Sequence, residues 1–255
     1  MAATDPEQDL PLDEWVEAAP GLQLRRRGFL KTAAATLAAA AAPGTALAAL
    51  RGLDDSAGSL SLEEFLVVVA PAARELVADT TAAGQDRYLH TLARHAVRLA
   101  EVAEPASWRD SGQGVGPGSW IGVHPGGDPF VVLDWKLEPG AVIRPHAHTY
   151  GHVCTVGLAG RARLRNYETV EAPDYEGEGP FAVRLTREQR LGPGDINLVS
   201  LERDFVHGFE AGPEGARGLD LTTRIRERRP TPYLVLETEP TTAGRAPLTA
   251  RWHYD

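Results

Sequence analysis

Between Ser61 and Glu104 the apolar residues return every three or four positions, whereas from Trp120 onward they fall in short runs separated by Gly and Pro. The first spacing predicts helices and the second predicts strands. Ser61-Leu-Glu-Glu64 reads as a capping box, in which the serine hydroxyl and the glutamate carboxylate each take an orphan N–H of the first turn. It opens a helix expected to run toward Asp79, with Pro71 as its possible break. Leu89, Leu92, Ala93, Ala96, Val97, Leu99 and Ala100 line one face of a second helix expected from Asp86 to Glu104. His90 and His95 ride on that helix as ordinary polar residues. Strands are expected at 120–123, 130–135, 153–156, 162–165, 181–185, 196–199, 218–222 and 233–237. So many short strands with turn residues between them point to a sandwich or barrel. The Pro- and Thr-rich tail from Arg229 to Asp255 is expected to wrap that barrel or extend a sheet.

Upstream, Arg25-Arg-Arg-Gly-Phe-Leu-Lys31 precedes an alanine-rich run from Thr32 to Leu50, broken at Pro43-Gly44, with Ala46-Leu-Ala48 offering small residues at a cleavage position. This resembles a twin-arginine export signal. The resemblance implies a periplasmic or extracellular protein, engaged by the twin-arginine export machinery while already folded, with an uncleaved membrane tether as the alternative. A run made mostly of alanine and interrupted by a helix breaker has modest affinity for a bilayer core. The chain thus divides into a signal region at 1–48, a helical segment at 49–118 and a β-barrel with its extension at 119–255. A net charge of −9 argues against nucleic acid as a partner. Cys154 is the single cysteine, so no disulfide can form within the chain.

Candidate chemistry concentrates in Gly140-Ala-Val-Ile-Arg-Pro-His146-Ala-His148-Thr-Tyr-Gly-His152-Val-Cys154. Alternate strand residues share a face, so the His146 and His148 imidazoles can converge on one point. Pro145 fixes its own φ and pushes Arg144 toward extended backbone, which favours strand geometry here. Two imidazoles alone hold a metal weakly, and His207, after the turn signal Gly192-Pro-Gly194-Asp195 and the run Ile196–Ser200, is the remote candidate. His152 is either a ligand or a residue that orients another imidazole. Cys154 shares a strand face with His152. Its sulfur therefore lies either inside the barrel or outside it together with that histidine, and a small buried apolar role is the commoner fate of a free cysteine.

The segment resembles the first motif of the cupin family: Gly140, His146, His148 and the later Gly160 match, while His152 stands where that family places a glutamate. It is most similar to the cysteine dioxygenase-like branch, the thiol dioxygenases, which carry a His-x-His-Thr-x-x-His run followed by a cysteine. The resemblance implies a double-stranded β-helix, or jelly-roll barrel, behind two helices. It also implies a divalent metal on His146, His148, His152 and His207, with Fe(II) first and Mn, Ni, Zn or Cu as alternatives. A small-molecule substrate and dioxygen would be its partners.

That family's Ser-x-His-x-Tyr strand aligns with Gly218-Leu-Asp220-Leu-Thr222, so its histidine and tyrosine are absent. The arginine that clamps a substrate carboxylate has no match either; Arg144, Arg161, Arg163 and Arg224 are the substitutes at hand. Asp220 reads as a general base or, by preference, as a barrel carboxylate paired with an arginine. A ring of neutral histidines would leave the metal's charge uncompensated and favour anionic ligands. The expected function is an exported mononuclear non-haem iron dioxygenase, with oxidation of a small thiol to a sulfinate as its candidate reaction. A cupin isomerase, lyase or ring-cleaving dioxygenase, or a non-catalytic binding protein, are the alternatives.

Overall fold

The structure, a computed structural model, describes residues 58–100, 102–111, 115–172, 174–177, 179–227, 230–238 and 247–254. The twin-arginine motif, the alanine-rich run and the cleavage position lie outside the described residues.

Helix α1 spans Leu62–Ala78 and α2 spans Ala82–Ala96. The capping box forms as expected: the Glu64 N–H donates to Ser61 Oγ at 3.2 Å and the Ser61 N–H donates to Glu64 Oε2 at 2.9 Å. Pro71 does not break α1. It sits on the exposed face, and Phe65, Leu66, Val69, Ala73 and Leu76 stay buried on either side of it. The second helix begins earlier and ends earlier than the apolar spacing suggests. Thr81 caps it by accepting the Gly84 N–H at 3.2 Å, and only glycine fits at 84, since a Cβ there would lie 2.1 Å from the Asp79 carbonyl oxygen. After Ala96 the chain turns, and Leu99 bridges to Leu60 instead of continuing the helix.

Ten strands follow among the described residues: β1 Arg109–Asp110, β2 Ser119–His124, β3 Phe130–Leu137, β4 Val142–Ala147, β5 Gly151–Thr169, β6 Phe181–Leu191, β7 Ile196–Val199, β8 Val206–Arg224, β9 Tyr233–Leu236 and β10 Leu248–His253. They make a closed antiparallel barrel of jelly-roll type, in the order β1-β2-β3-β8-β4-β9-β10-β6-β5-β7, closed by pairing of β8 with β5. The eight expected strands are all present. Those at 153–156 and 162–165 fuse into β5, and the one at 218–222 is the far half of a longer β8; β5 and β8 run beside each other for most of their length. Their register jumps from Gly160↔Ala216 to Ala162↔Ala211, so residues 212–215 are looped out and each long strand serves two sheets. The C-terminal tail supplies β9 and β10, extending the sheet from β4 to β6.

Strand alternation sorts the β5–β8 side chains onto two faces. Cys154, Val156, Leu219, Leu221, Val132 and Ile196 pack outward against the α1–α2 pair in one apolar cluster. Trp135, Ile121, Leu164, Phe209 and Ala211 pack together in a second, inside the barrel. Both faces of the central strands are buried, so any polar residue on them is withdrawn from water whichever way it points. None of the described helices is long and apolar enough to cross a membrane.

Candidate metal centre

The inner face of the barrel brings His146, His148, His207 and Asp220 together, with one potential ligand atom from each lying within 4.8 Å of all the others. His146 and His148 come from β4 and the residue that follows it, His207 from the start of β8 and Asp220 from its far half. A register shift in β4 between Ile143 and His146, at Arg144-Pro145, seats His146 opposite His207. This follows from Pro145, which cannot donate to the ladder and is tolerated in a strand at such irregularities.

His148 and His207 are buried and His146 is partly exposed. The Nε2 atoms of His148 and His207 are 2.8 Å apart, and His207 Nε2 lies 3.8 Å from Asp220 Oδ2. Two nitrogens adjacent on an octahedral metal, with bonds of about 2.1 Å, are separated by about 3.0 Å. The histidine pair therefore has the spacing of one edge of a coordination polyhedron. His146 donates Nδ1–H to the Arg144 carbonyl at 3.0 Å, because a carbonyl can only accept, and this leaves the Nε2 lone pair free for ligation. Asp220 Oδ1 is buried without a hydrogen-bond partner, as a carboxylate awaiting a cation would be. The donor set fits a divalent metal.

Electrostatics agree with this reading. Burial holds the His146 imidazole down at about 4, and burial together with the neighbouring rings holds His148 and His207 well below the usual histidine range. All three are thus neutral, the form that ligates. Burial pushes the Asp220 carboxyl up to about 7, against the opposite pull of the Thr155 hydroxyl and the Trp135 indole. A cation beside it would restore the ionised form.

Of the four histidines expected as ligands, three converge and His152 does not. It lies on the outward face of β5, opposite Thr223 and below α2, where its ring centroid is 6.3 Å from that of Tyr88. Cys154 goes with it, buried in the helix-facing cluster, and burial raises its thiol. Strand alternation leaves no other outcome once Thr155 faces inward beside Asp220.

Asp220 completes the cluster in place of His152, and the ionisable side chain beside it is the neutral His207 at 3.8 Å, not an arginine. The barrel carboxylate that does hold an arginine is Asp134 on the outer face, gripped by Arg217 at 2.6 and 3.0 Å and by His124 at 3.0 Å. With Asp220 in the set, one unit of a divalent metal's charge would be cancelled, so the cluster is not the uncompensated ring of histidines that was expected.

The signal for Asp220 was present in the sequence. In Gly218-Leu-Asp220-Leu-Thr222 the small and polar residues alternate with leucines, so the acid shares the face that the helices do not cover. Among the arginines proposed as substrate clamps, Arg163 pairs with Glu210 and Arg224 with Asp128 at 2.8 Å. Arg144 stacks on the Tyr233 ring at 4.3 Å, and that ring in turn flanks His146.

No protein-family model matches the sequence, and no curated protein matches it. Among solved structures, the chain is similar to KdgF from Halomonas sp. at 20% identity, over 48% of this chain and 89% of that one, with a TM-score of 0.35. It is similar to the polyketide cyclase RemF from Streptomyces resistomycificus at 18% identity, over 52% and 84% of the two chains, with a TM-score of 0.36. A sugar phosphate isomerase of the cupin superfamily from Silicibacter pomeroyi is similar at 21% identity, over 46% and 65%, with a TM-score of 0.33.

Proposed function

We propose that this chain is a mononuclear metal-dependent enzyme, its metal held by His146, His148, His207 and Asp220, that oxidises a small chelating substrate with dioxygen. The observation that supports it is the convergence of three neutral imidazoles and one buried carboxylate inside a closed barrel. A divalent cation in that set supplies Lewis acidity and, at six coordination, two positions for ligands from outside the chain.

The protein's own part is to shape and dry that space. Phe209 packs on His207 with ring centroids 4.8 Å apart and on Trp135 at 4.9 Å, so two aromatic side chains wall one side of the centre. Trp135 also places its indole beside Asp220. The partly exposed His146 marks the side on which a substrate enters. There Arg144 stacks on Tyr233, whose ring flanks His146, and its guanidinium is suited to an acidic substrate.

Fe(II) is the metal we propose, and a thiol remains one substrate class among several. Reduction of the net site charge by Asp220 weakens the preference for thiolate over neutral or enol-type chelators. Metal analysis of the full chain, followed by oxygen uptake against a panel of thiols, enols and 2-hydroxy acids, tests this reading. Iron at one equivalent with uptake on one class supports it. A stoichiometric metal with substrate turnover but no uptake moves the chain to the isomerase or lyase reading. We also propose export by the twin-arginine route; replacing Arg26 and Arg27 together by Lys should retain the protein in the cytoplasm, and unchanged export would refute it.

A further inference from the structure

On the reverse side of the strands that carry the metal ligands lies a groove with no part in that centre. Pairing of β8 with β4, β4 with β9, β9 with β10, β10 with β6, β6 with β5 and β5 with β8 closes a ring of six strands. Inside it, Tyr167, Val183, Leu185, Val206, Leu234 and Ala250 form an apolar floor. Above that floor the ring opens into a chamber of about 320 Å³, lined by Tyr167, Leu234 and Leu236 together with Arg163, Arg165 and Gly208. This is within the size range of small-molecule sites. Strand alternation separates it from the metal: His207 points into the barrel and Gly208 out of it.

A second, larger basin of about 680 Å³ adjoins the chamber and shares Arg163 and Glu210 with it. The Arg163–Glu210 ion pair forms the bar between the two. Arg161, Arg190 and Glu214 lie on the basin side. Arg163 and Arg190 are directly opposed across β5 and β6. Like charges in that position repel and destabilise a sheet. Glu210 neutralises Arg163, and Glu188 neutralises Arg165 at 2.8 Å, but among the described residues no carboxylate forms an ion pair with Arg161 or Arg190. A chain of net charge −9 thus keeps two exposed guanidinium groups on the basin that adjoins the chamber.

We propose that this groove binds a single-chain anionic amphiphile, a free medium-chain carboxylate, with its alkyl chain in the chamber over Tyr167, Leu234 and Leu236 and its head group on Arg161 and Arg190. The apolar part of the lining takes the chain, and the carboxylate neutralises the two basin guanidinium groups, Arg161 and Arg190. Arg is suited to this head group because its planar fork meets a carboxylate with two parallel hydrogen bonds.

The test uses the full chain and decanoate below its micelle concentration, titrated calorimetrically with and without a metal chelator. One decanoate should bind per chain with the same affinity in both conditions. Octanoate should bind about tenfold more weakly, because two methylenes leave the chamber. Butyrate and decanol, each lacking one half of the ligand, should be weaker than decanoate by about tenfold or more. The double variant R161M/R190M, at exposed positions, should lose about tenfold in decanoate affinity while leaving decanol unaffected. Absence of binding, or equal binding by the double variant, would overturn the proposal. Chelator-sensitive binding would place the carboxylate on the metal and overturn it as well. Arginine-dependent sedimentation with phosphatidylglycerol vesicles, without binding of free decanoate, would assign the arginines to a membrane surface instead.

Discussion

Replacing Asp220 by Asn should change stability in opposite directions with and without metal. In the metal-free protein, burial raises the Asp220 carboxyl from 3.8 to about 7. A raised carboxyl contributes stability at low pH that is lost as pH rises from the unfolded value of 3.8 through about 7 in the folded state. Each tenfold change in proton affinity is worth about 1.4 kcal/mol, so at pH 8 the ionised, buried group costs roughly 4 kcal/mol. At pH 5 the cost is roughly 2 kcal/mol, because only the interval above 3.8 counts. Asparagine removes this cost and introduces that of a buried amide, about 1 to 3 kcal/mol, which does not depend on pH.

Metal-free D220N should thus gain about 2 kcal/mol relative to the parent between pH 5 and pH 8. In urea this is a relative midpoint shift of about 1 M. With saturating metal the order reverses, because loss of a charged ligand lowers affinity by about 100-fold or more and removes about 3 kcal/mol of linked stabilisation. Urea titrations at both pH values, with chelator and with Fe(II) or Zn(II), measure all four states. If D220N is no better at pH 8 than at pH 5 in chelator, or binds metal as tightly as the parent, Asp220 is not a ligand poised in a dry site.

His152→Leu should leave metal stoichiometry unchanged, in contrast to His148→Ala, which should abolish tight binding; metal analysis after dialysis separates the two. Because burial and then Arg226 hold His152 at about 4, its contribution to stability is present above 6.5 and lost as pH falls toward 4. The leucine variant should therefore show an acid limb shallower by about 1.4 kcal/mol per pH unit across that window, measured by urea midpoints. Gly208→Ala should destabilise by about 1 to 3 kcal/mol, since its Cβ would meet Pro145 backbone and ring atoms at 2.9 and 3.0 Å; thermal unfolding of the metal-free protein reads this directly. Asp134→Ala should cost about 3 to 5 kcal/mol by stranding Arg217 and His124, with metal content unaltered. Cys154 should react with a thiol reagent only on unfolding, so labelling and unfolding rates should coincide under native conditions.

Local patterns carried most of the architecture. The capping box at Ser61, the apolar stripe of α2 and the Gly- and Pro-bounded runs after Trp120 each depend on neighbours a few residues away. Nearly all of these features appear where their spacing puts them. The misplacements arise where apolar spacing is silent, on a tight capping turn or on which side of an element faces the barrel. The α2 start is set by Asp79 crowding Gly84, and Pro71 is accommodated because its side of α1 faces away from the barrel.

The metal centre shows the same division between local and remote information. His146 and His148 lie within one strand period, and the distant His207 meets them through pairing of β4 with β8. The fourth member of the cluster turned on which face of β5 points inward, and neither face is polar enough to decide this by itself. His152 and Cys154 were tied to each other by alternation, so one fact was needed to place both. That fact is the packing of Cys154, Val156, Leu219 and Leu221 against the helices. Once the leucines of β8 face α1 and α2, Asp220 between them must face the other way, into the cavity with the imidazoles. A helix pair that covers one side of the barrel therefore selects the carboxylate of the site without touching it. It follows that substitutions in the Leu219–Leu221 cluster should loosen the orientation of Asp220 and lower metal affinity while every ligand is retained. A Leu221→Ala variant that folds and binds metal with unchanged affinity would show that β8 holds its facing without the helices.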